Sequence, residues 1–328
     1  MDVIVVHKFG GNETIKVEQR HIDQLKKHAD NVYWFESVAE LVASGVDAEV
    51  VCSTGPFQVE EMAEWCVKSK RLKWFNTLLA GVDAVMSSKI GTLPIIITNS
   101  KGVHGPQIAF HTIGLIAAHY RQFPTLFANQ KAHKWIRPAE VYDTEGKTLG
   151  VIGAGAIGTD VAKFARGCGF RTIGVRRSGQ ILEGFDEMYK NEDIDKALAM
   201  MDVIVLLTPL TAQTKHLMNA DRFKAVKKGA FLVNVARGGV LDHNALIDAL
   251  NDGTLSGCGL DANDPEPLPP ESTLWDMPNV IITPHCSGTS TNYMNRATNL
   301  LCENLDNFRH GRPMFNVIDT ADLSTSKG

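Results

Sequence analysis

The run Thr148-Leu-Gly-Val-Ile-Gly-Ala-Gly-Ala-Ile-Gly158 sets Gly153, Gly155 and Gly158 in a G-x-G-x-x-G spacing. It follows an apolar strand-like run and precedes a helical one, the setting in which backbone amides cradle a pyrophosphate. The first glycine permits a tight turn. The second leaves room for the phosphates, and the third lets the helix pack closely on the strand. N–H groups at the helix start then face the phosphates. About 20 residues further on, an NAD site needs an acid for the ribose hydroxyls. Here the strand at 170–175 runs into Arg176-Arg177-Ser178-Gly179, with no Asp or Glu. A carboxylate would repel a 2′-phosphate, whereas arginine offers it forked, charge-assisted hydrogen bonds. The pattern points to NADP(H) in preference to NAD(H), with NAD(H) still possible. Cys286 stands beside His285, but neighbouring side chains usually point apart, which disfavours a Cys–His nucleophile pair.

These residues need elements to hold them. Apolar runs at 2–6, 32–35, 48–52, 72–75 and 94–98 read as buried strands, with an amphipathic helix at 60–67. A second series follows: strands at 148–152, 170–175, 202–207, 230–235, 257–261 and 280–283, with helices at 157–168 and 244–251. Strand–helix alternation argues for parallel sheets. Residues 107–120 form a long apolar helix with Phe110, Ile113, Gly114 and Ala117 on one face, and 121–141 reads as polar and irregular. Residues 264–270 are proline-rich and must be a loop. A last helix at about 295–309 carries Leu300, Leu301, Leu305 and Phe308. The basic cluster Lys68, Lys70, Arg71 and Lys73 reads as a solvated helix end.

With 328 residues, 44% hydrophobic and 21% charged, the chain has length for about two domains. A net charge of −4 argues against nucleic acid and anionic membranes as partners. No apolar run reaches the length of a membrane span, and residues 1–7 lack the basic start of a signal peptide. The six cysteines form no C-x-x-C pair and no zinc-like spacing, so reduced thiols, a cytoplasmic location and no metal are expected.

The chain resembles the D-isomer-specific 2-hydroxyacid dehydrogenase family, which includes glyoxylate/hydroxypyruvate reductases. The resemblance is carried in order by Leu79-Ala-Gly-Val-Asp83, the glycine fingerprint, Leu206-Leu-Thr-Pro-Leu-Thr-Ala-Gln-Thr214 and Phe231-Leu-Val-Asn-Val-Ala-Arg-Gly-Gly-Val-Leu-Asp242. Leu260-Asp261, Pro265-Glu-Pro-Leu-Pro269 and Asn279-Val-Ile-Ile-Thr-Pro-His285 complete it. It implies that Arg237 binds the substrate carboxylate and polarises the carbonyl, as a permanently charged, forked donor can. It implies that His285 exchanges a proton with the substrate oxygen and that Glu266 orients its ring. Formate dehydrogenases of the family carry glutamine in place of this glutamate, which argues against formate. Ala80 and Gly81 match a loop whose amides, with Arg237 and His285, hold the substrate. Cofactor positions carried over are Gly153, Gly155, Ala156, Ile157, Gly158, Arg176, Arg177, Ser178, Thr208, Pro209, Thr214, Val235, Ala236, Asp261 and Gly288. Asp261 matches a position near the nicotinamide amide. Residues 53–56 are expected to form another pocket edge. Two departures stand out: Ala109-Phe110 where the family often has Ala-Glu, and Ala262-Asn263 in place of a valine–aromatic pair.

The expected architecture is α/β: two Rossmann/flavodoxin-like, doubly wound parallel-sheet domains with a cleft between them. Residues 1–102 with 291–328 would form the substrate-binding domain, and 103–290 the NAD(P)-binding one. The expected reaction is NADPH-dependent reduction of a small 2-keto acid of the glyoxylate, hydroxypyruvate or pyruvate type to the D-2-hydroxy acid, by a homodimer joined through the cofactor domains. The alternatives are a nucleotide-sensing corepressor of the same fold and a dehydrogenase of another small acid such as phosphite.

Overall fold

The computed structural model describes residues 1–7, 16–53 and 58–318, apart from the side chain of Asp83. The chain divides into two compact units, Met1–His104 with Thr289–Gly328, and Gly105–Gly288.

The first unit contains β1 (Asp2–Val6), α1 (Gln19–Leu25), β2 (Asn31–Phe35), α2 (Val38–Ser44), β3 (Val50–Ser53), α3 (Val59–Lys68), β4 (Trp74–Thr77), α4 (Asp83–Ser87) and β5 (Ile96–Asn99). Its five strands are all parallel, in the order β2-β1-β3-β4-β5, which is the flavodoxin-like arrangement. Buried side chains alternate between two clusters. Val3, Val5, Val50 and Trp74 pack on one face; Ile4, Val6, Val51 and Phe75 pack on the other. That period-2 division is why both faces carry helices.

The second unit holds α5 (Gly105–Tyr120), α6 (Phe123–Lys131), β6 (Thr148–Ile152), α7 (Ala156–Gly167), β7 (Arg171–Val175), β8 (Glu187–Tyr189), α8 (Ile194–Leu198), β9 (Val203–Leu206), α9 (Ala220–Phe223), β10 (Ala230–Asn234), α10 (His243–Asn251), β11 (Leu255–Leu260) and β12 (Val280–Ile282). Its seven parallel strands run β12-β11-β10-β9-β6-β7-β8. This is the doubly wound order of dinucleotide-binding folds, and it reverses between β6 and β9. The chain then returns to the first unit through α11 (Tyr293–Arg309), whose Leu301 and Leu305 are buried against β1, β3 and β4 residues. Of the basic cluster, Arg71 is bound at Asp2 (2.8 Å) and Glu49 (3.2 Å).

Two expectations need correction. The stretch 121–141 is not irregular throughout, because it contains α6. That helix buries none of its residues, so it lacks the apolar stripe that marks a core-facing helix; Phe123 and Phe127 instead pack against each other at a tilt of 39°, with ring centroids 5.8 Å apart. In α5 the buried face is Ile108, Ala109, Thr112, Leu115, Ile116, His119 and Tyr120. On the face expected at Phe110, Ile113, Gly114 and Ala117, Phe110 (70% exposed) and Gly114 face outward, Ala117 is half-buried and Ile113 packs on the core. A helix apolar on both sides gives no periodic signal to say which side is the core.

Candidate active site

The fingerprint begins where β6 ends, at the point of strand reversal. Gly153 has φ +91°, and a Cβ there would come 2.7 Å from the Thr208 amide nitrogen. A side chain at Gly155 would meet only the Gly153 carbonyl oxygen, at 4.0 Å, and Gly155 and Ala156 are exposed. At Gly158 the position of a Cβ lies 3.1 Å from Val151, so α7 lies close on β6. Tight turn, open approach and close packing thus fall on the first, second and third glycines in turn. Gly155 caps α7 without a side chain, which leaves the first-turn amides and the positive end of the helix uncovered by the cap. Thr208 Oγ1 is buried at this turn with no hydrogen-bond partner among the described residues, an orphaned group that a bound polar ligand would satisfy. Ile157 is half-buried and packs on the core of the unit.

Arg176 is half-buried at the end of β7, and Arg177 and Ser178 are exposed. A turn closes from the Gly179 amide to the Arg176 carbonyl at 3.1 Å, and Ser178 Oγ accepts from the Gln180 amide at 3.3 Å. No ion pair engages either guanidinium among the described residues. Thr214 has a bracing contact: its hydroxyl donates to the Pro209 carbonyl at 2.5 Å and accepts from the Thr211 amide at 2.7 Å.

Arg237 follows β10 with an extended backbone, half-buried, with Nη1 donating to the Ala236 carbonyl at 2.8 Å. Val235 and Ala236 beside it are buried. Asn234, fully buried, holds this turn. Its Nδ2 donates to the carbonyls of Arg237 and Ala262, both at 3.1 Å, and its Oδ1 accepts from the Ala236 amide. The family resemblance implies no role for Asn234. Its signal was a polar residue ending an apolar strand run. Gly238 has a similar duty, because a Cβ there would overlap the Asn263 carbonyl. The segment leading to Glu266 can therefore lie directly on the Arg237 turn.

His285 and Glu266 meet: Nδ1 lies 2.7 Å from Glu266 Oε1. A carboxylate only accepts, so the proton in this bond sits on Nδ1, and Nε2 is left for chemistry. Both side chains are exposed, at 43% and 41%. His285 has φ +48°, a left-handed backbone, which a non-glycine residue adopts only when its surroundings impose it. The His285 N–H is held there by a hydrogen bond shared between the carbonyl oxygens of Asp261 (2.9 Å) and Thr283 (3.0 Å).

Asp261 organises the same turn. It is 1% exposed and accepts from Thr283 Oγ1 (2.6 Å) and from the amides of Cys286 (2.9 Å) and Ser287 (3.0 Å). Burial opposes its ionisation, but bonds from Ser287, Thr283 and the Cys286 amide outweigh that and hold its carboxyl below the ordinary value. Gly288 follows, half-buried. Arg237 makes no hydrogen bond or ion pair to Glu266 or His285 among the described residues.

Ala80 and Gly81 belong to the first unit, on the loop after β4. Asn99 Nδ2 donates to the Ala80 carbonyl at 2.7 Å, the Ser100 amide to that of Leu79 at 3.0 Å, and Tyr293 Oη to that of Leu78 at 2.5 Å. Of the pocket edge expected at 53–56, residues 54–56 lie outside the described residues.

Comparison with known proteins places this geometry in context. The family described as "D-isomer specific 2-hydroxyacid dehydrogenase, NAD binding domain" matches residues 113–287. A glycerate dehydrogenase of Methylorubrum extorquens is 31% identical over 76% of this chain and 79% of its own length. A glyoxylate reductase of Korarchaeum cryptofilum is 29% identical over 93% of this chain and 94% of its own. The crystal structure of an NADPH-dependent glyoxylate/hydroxypyruvate reductase from Sinorhizobium meliloti, in complex with NADP and sulfate, superposes with a TM-score of 0.78 at 26% identity, covering 98% of this chain and 99% of that one.

Proposed function

The chain belongs to the D-isomer-specific 2-hydroxyacid dehydrogenase family and is an NAD(P)-dependent enzyme of that kind; on that premise we propose that it reduces a small 2-keto acid of the glyoxylate, hydroxypyruvate or pyruvate type to the D-2-hydroxy acid, with NADP(H) preferred. The observation that carries the proton-transfer step is the 2.7 Å His285–Glu266 bond.

The residues present fit a dinucleotide: an open approach at Gly155, an uncovered helix start at Ala156 and the orphaned hydroxyl of Thr208. Gly153 to Gly158 and Thr208 would hold the pyrophosphate side. Arg176, Arg177 and Ser178 would hold the 2′-phosphate, with Pro209, Thr214, Val235, Ala236, Asp261 and Gly288 lining the remainder. When bound, the reduced nicotinamide supplies hydride for the keto carbon.

Arg237 anchors the substrate carboxylate and draws electron density from the carbonyl. His285 gives its Nε2 proton to the carbonyl oxygen in reduction and takes it back in oxidation. Glu266 keeps the ring in register through Nδ1. Ala80 and Gly81 offer backbone amides to the carboxylate. Preference for NADP(H) is supported by the absence of Asp or Glu at 176–179; NADP also accompanies the Sinorhizobium meliloti enzyme. No described helix is long and apolar enough to cross a membrane. Six free thiols fit a reducing, cytoplasmic setting.

The test is a panel of 2-keto acids with NADPH and NADH at equal concentration. Oxidation of NADPH with at least one member, at higher kcat/KM than with NADH, is expected. His285→Asn should lower kcat about 10²–10⁴-fold and leave cofactor affinity near that of the wild type. Turnover close to wild type in that variant would remove His285 as the proton donor, and equal or better use of NADH would overturn the cofactor preference.

A further inference from the structure

Three side chains far apart in sequence meet at the turn that carries His285: His111 on α5, Asp261 after β11, and Cys286. A ring nitrogen, a carboxylate oxygen and the thiol sulfur all lie within 4.8 Å of one another. His111 Nε2 is 3.7 Å from Asp261 Oδ1. Ligand atoms around a four-coordinate zinc stand roughly 3.3–3.8 Å apart, given bonds of about 2.0–2.3 Å. Imidazole with thiolate selects ions of the zinc type over magnesium or calcium. Asp261 is buried, while His111 and Cys286 are half-buried. We propose that His111, Asp261 and Cys286 form a binding site for a zinc-type transition-metal ion, and that its occupancy inhibits the enzyme by rearranging the His285 turn. The inhibition rests on His285 being the proton donor; the binding does not.

The chemistry balances without oxidation or reduction. In the metal-free chain, Thr283 Oγ1 donates to Asp261 Oδ1, so its oxygen accepts from His111 Nε2 at 3.0 Å. Burial and the neighbouring Asp261 carboxylate keep the Cys286 thiol protonated. On binding, the S–H bond breaks, a sulfur–metal bond forms and the proton leaves to solvent. The His111 proton moves to Nδ1, which frees the Nε2 lone pair. Asp261 contributes one oxygen, and water completes four-coordination. Both Asp261 oxygens already hold the turn, through Thr283 and Cys286 on one and Ser287 on the other. An oxygen that turns to the metal loosens its hold on that turn. One proton is released per ion, so affinity rises with pH.

The experiment titrates Co²⁺ into the cofactor-free chain. One equivalent should give a thiolate-to-cobalt charge-transfer band and the visible spectrum of a four-coordinate ion. Cys286→Ser should lose the charge-transfer band and keep its basal turnover. His111→Gln should bind about tenfold more weakly or worse, the scale on which even outer partners of metal sites are felt. Zn²⁺ should inhibit the wild type reversibly on adding EDTA, and inhibit Cys286→Ser far less. No charge-transfer band in the wild type would overturn the site. Equal zinc sensitivity of Cys286→Ser and wild type would overturn the inhibition. The spectra need no substrate, so a chain that reduces no keto acid would still report the site.

Discussion

At His285 a side-chain contact and a backbone contact have different origins. Glu266 fixes the ring, while Asp261 and Thr283 fix the left-handed backbone from which the ring projects. The ring can therefore be loosened without disturbing the turn. Glu266→Gln keeps the shape but replaces an acceptor-only carboxylate with an amide that can present its NH₂ to Nδ1. The expected result is a fall in kcat of about tenfold to a hundredfold, toward the low end of general-acid effects. KM should change little and the far-UV circular dichroism should be unaltered. Wild-type kcat in this variant would show that Glu266 does not orient the ring.

Among the elements, the ends of β10 and β11 bring the arginine and the glutamate segments into register. Gly238 is what permits this, since a Cβ there would overlap the Asn263 carbonyl. Gly238→Ala must push that segment away from the Arg237 turn. A loss of about 1–3 kcal/mol in stability, the usual scale of overpacking, should accompany a fall in kcat/KM, read by denaturant unfolding and steady-state assay. Unchanged values in both would show that the contact is easily relieved. On α5, His119 stacks on Phe231 with ring centroids 4.1 Å apart, and Nε2 is 3.1 Å from Ser256 Oγ. Burial pushes its pKa down to about 4. The folded chain resists a proton that the unfolded chain takes up from about pH 6.5. Stability is therefore fully present above pH 6.5 and is lost as pH falls toward 4. His119→Phe, with Ser256 still bonded to the Ala230 carbonyl at 3.3 Å, should remove about 1–3 kcal/mol of that loss. Parallel pH profiles for variant and wild type would contradict this.

For the whole molecule, the apolar surface of the second unit is the feature that a single chain leaves unexplained. Trp135 is 99% exposed, Phe110 70% and Phe127 58%, with Ile136 and Phe164 also exposed. Phe110 and Phe164 lie 6.3 Å apart across α5 and α7. On these exposed aromatics we rest the proposal that the chain forms a homodimer through its cofactor unit, since large exposed apolar side chains favour association. Trp135→Glu combined with Phe127→Glu should shift the molar mass seen by light scattering from that of two chains to that of one. A wild type that is monomeric at micromolar concentration would overturn the proposal.

Much of this protein is legible in one dimension, because its chemistry is strung along local motifs. Gly153, Gly155 and Gly158 act through backbone freedom and close approach, which are properties of the residue type and its spacing. The buried strands of both sheets show as apolar runs, since a parallel sheet is covered on both faces. Arg237, Glu266 and His285 were named through the family motifs, and the meeting of Glu266 with His285 is a contact of tertiary structure. Other features depended on the fold throughout. The inner face of α5 was hidden because both faces are apolar. The helix α6 was hidden because it buries nothing. Asn234 and Asp261 show their work only where strand ends come together, since each bonds to backbone atoms more than 20 residues away. His111, Asp261 and Cys286 have no metal-like spacing at all; three separate segments deliver them to one place. Sequence carries what a residue does to its own stretch of backbone, and tertiary structure alone decides which distant groups share a few ångströms.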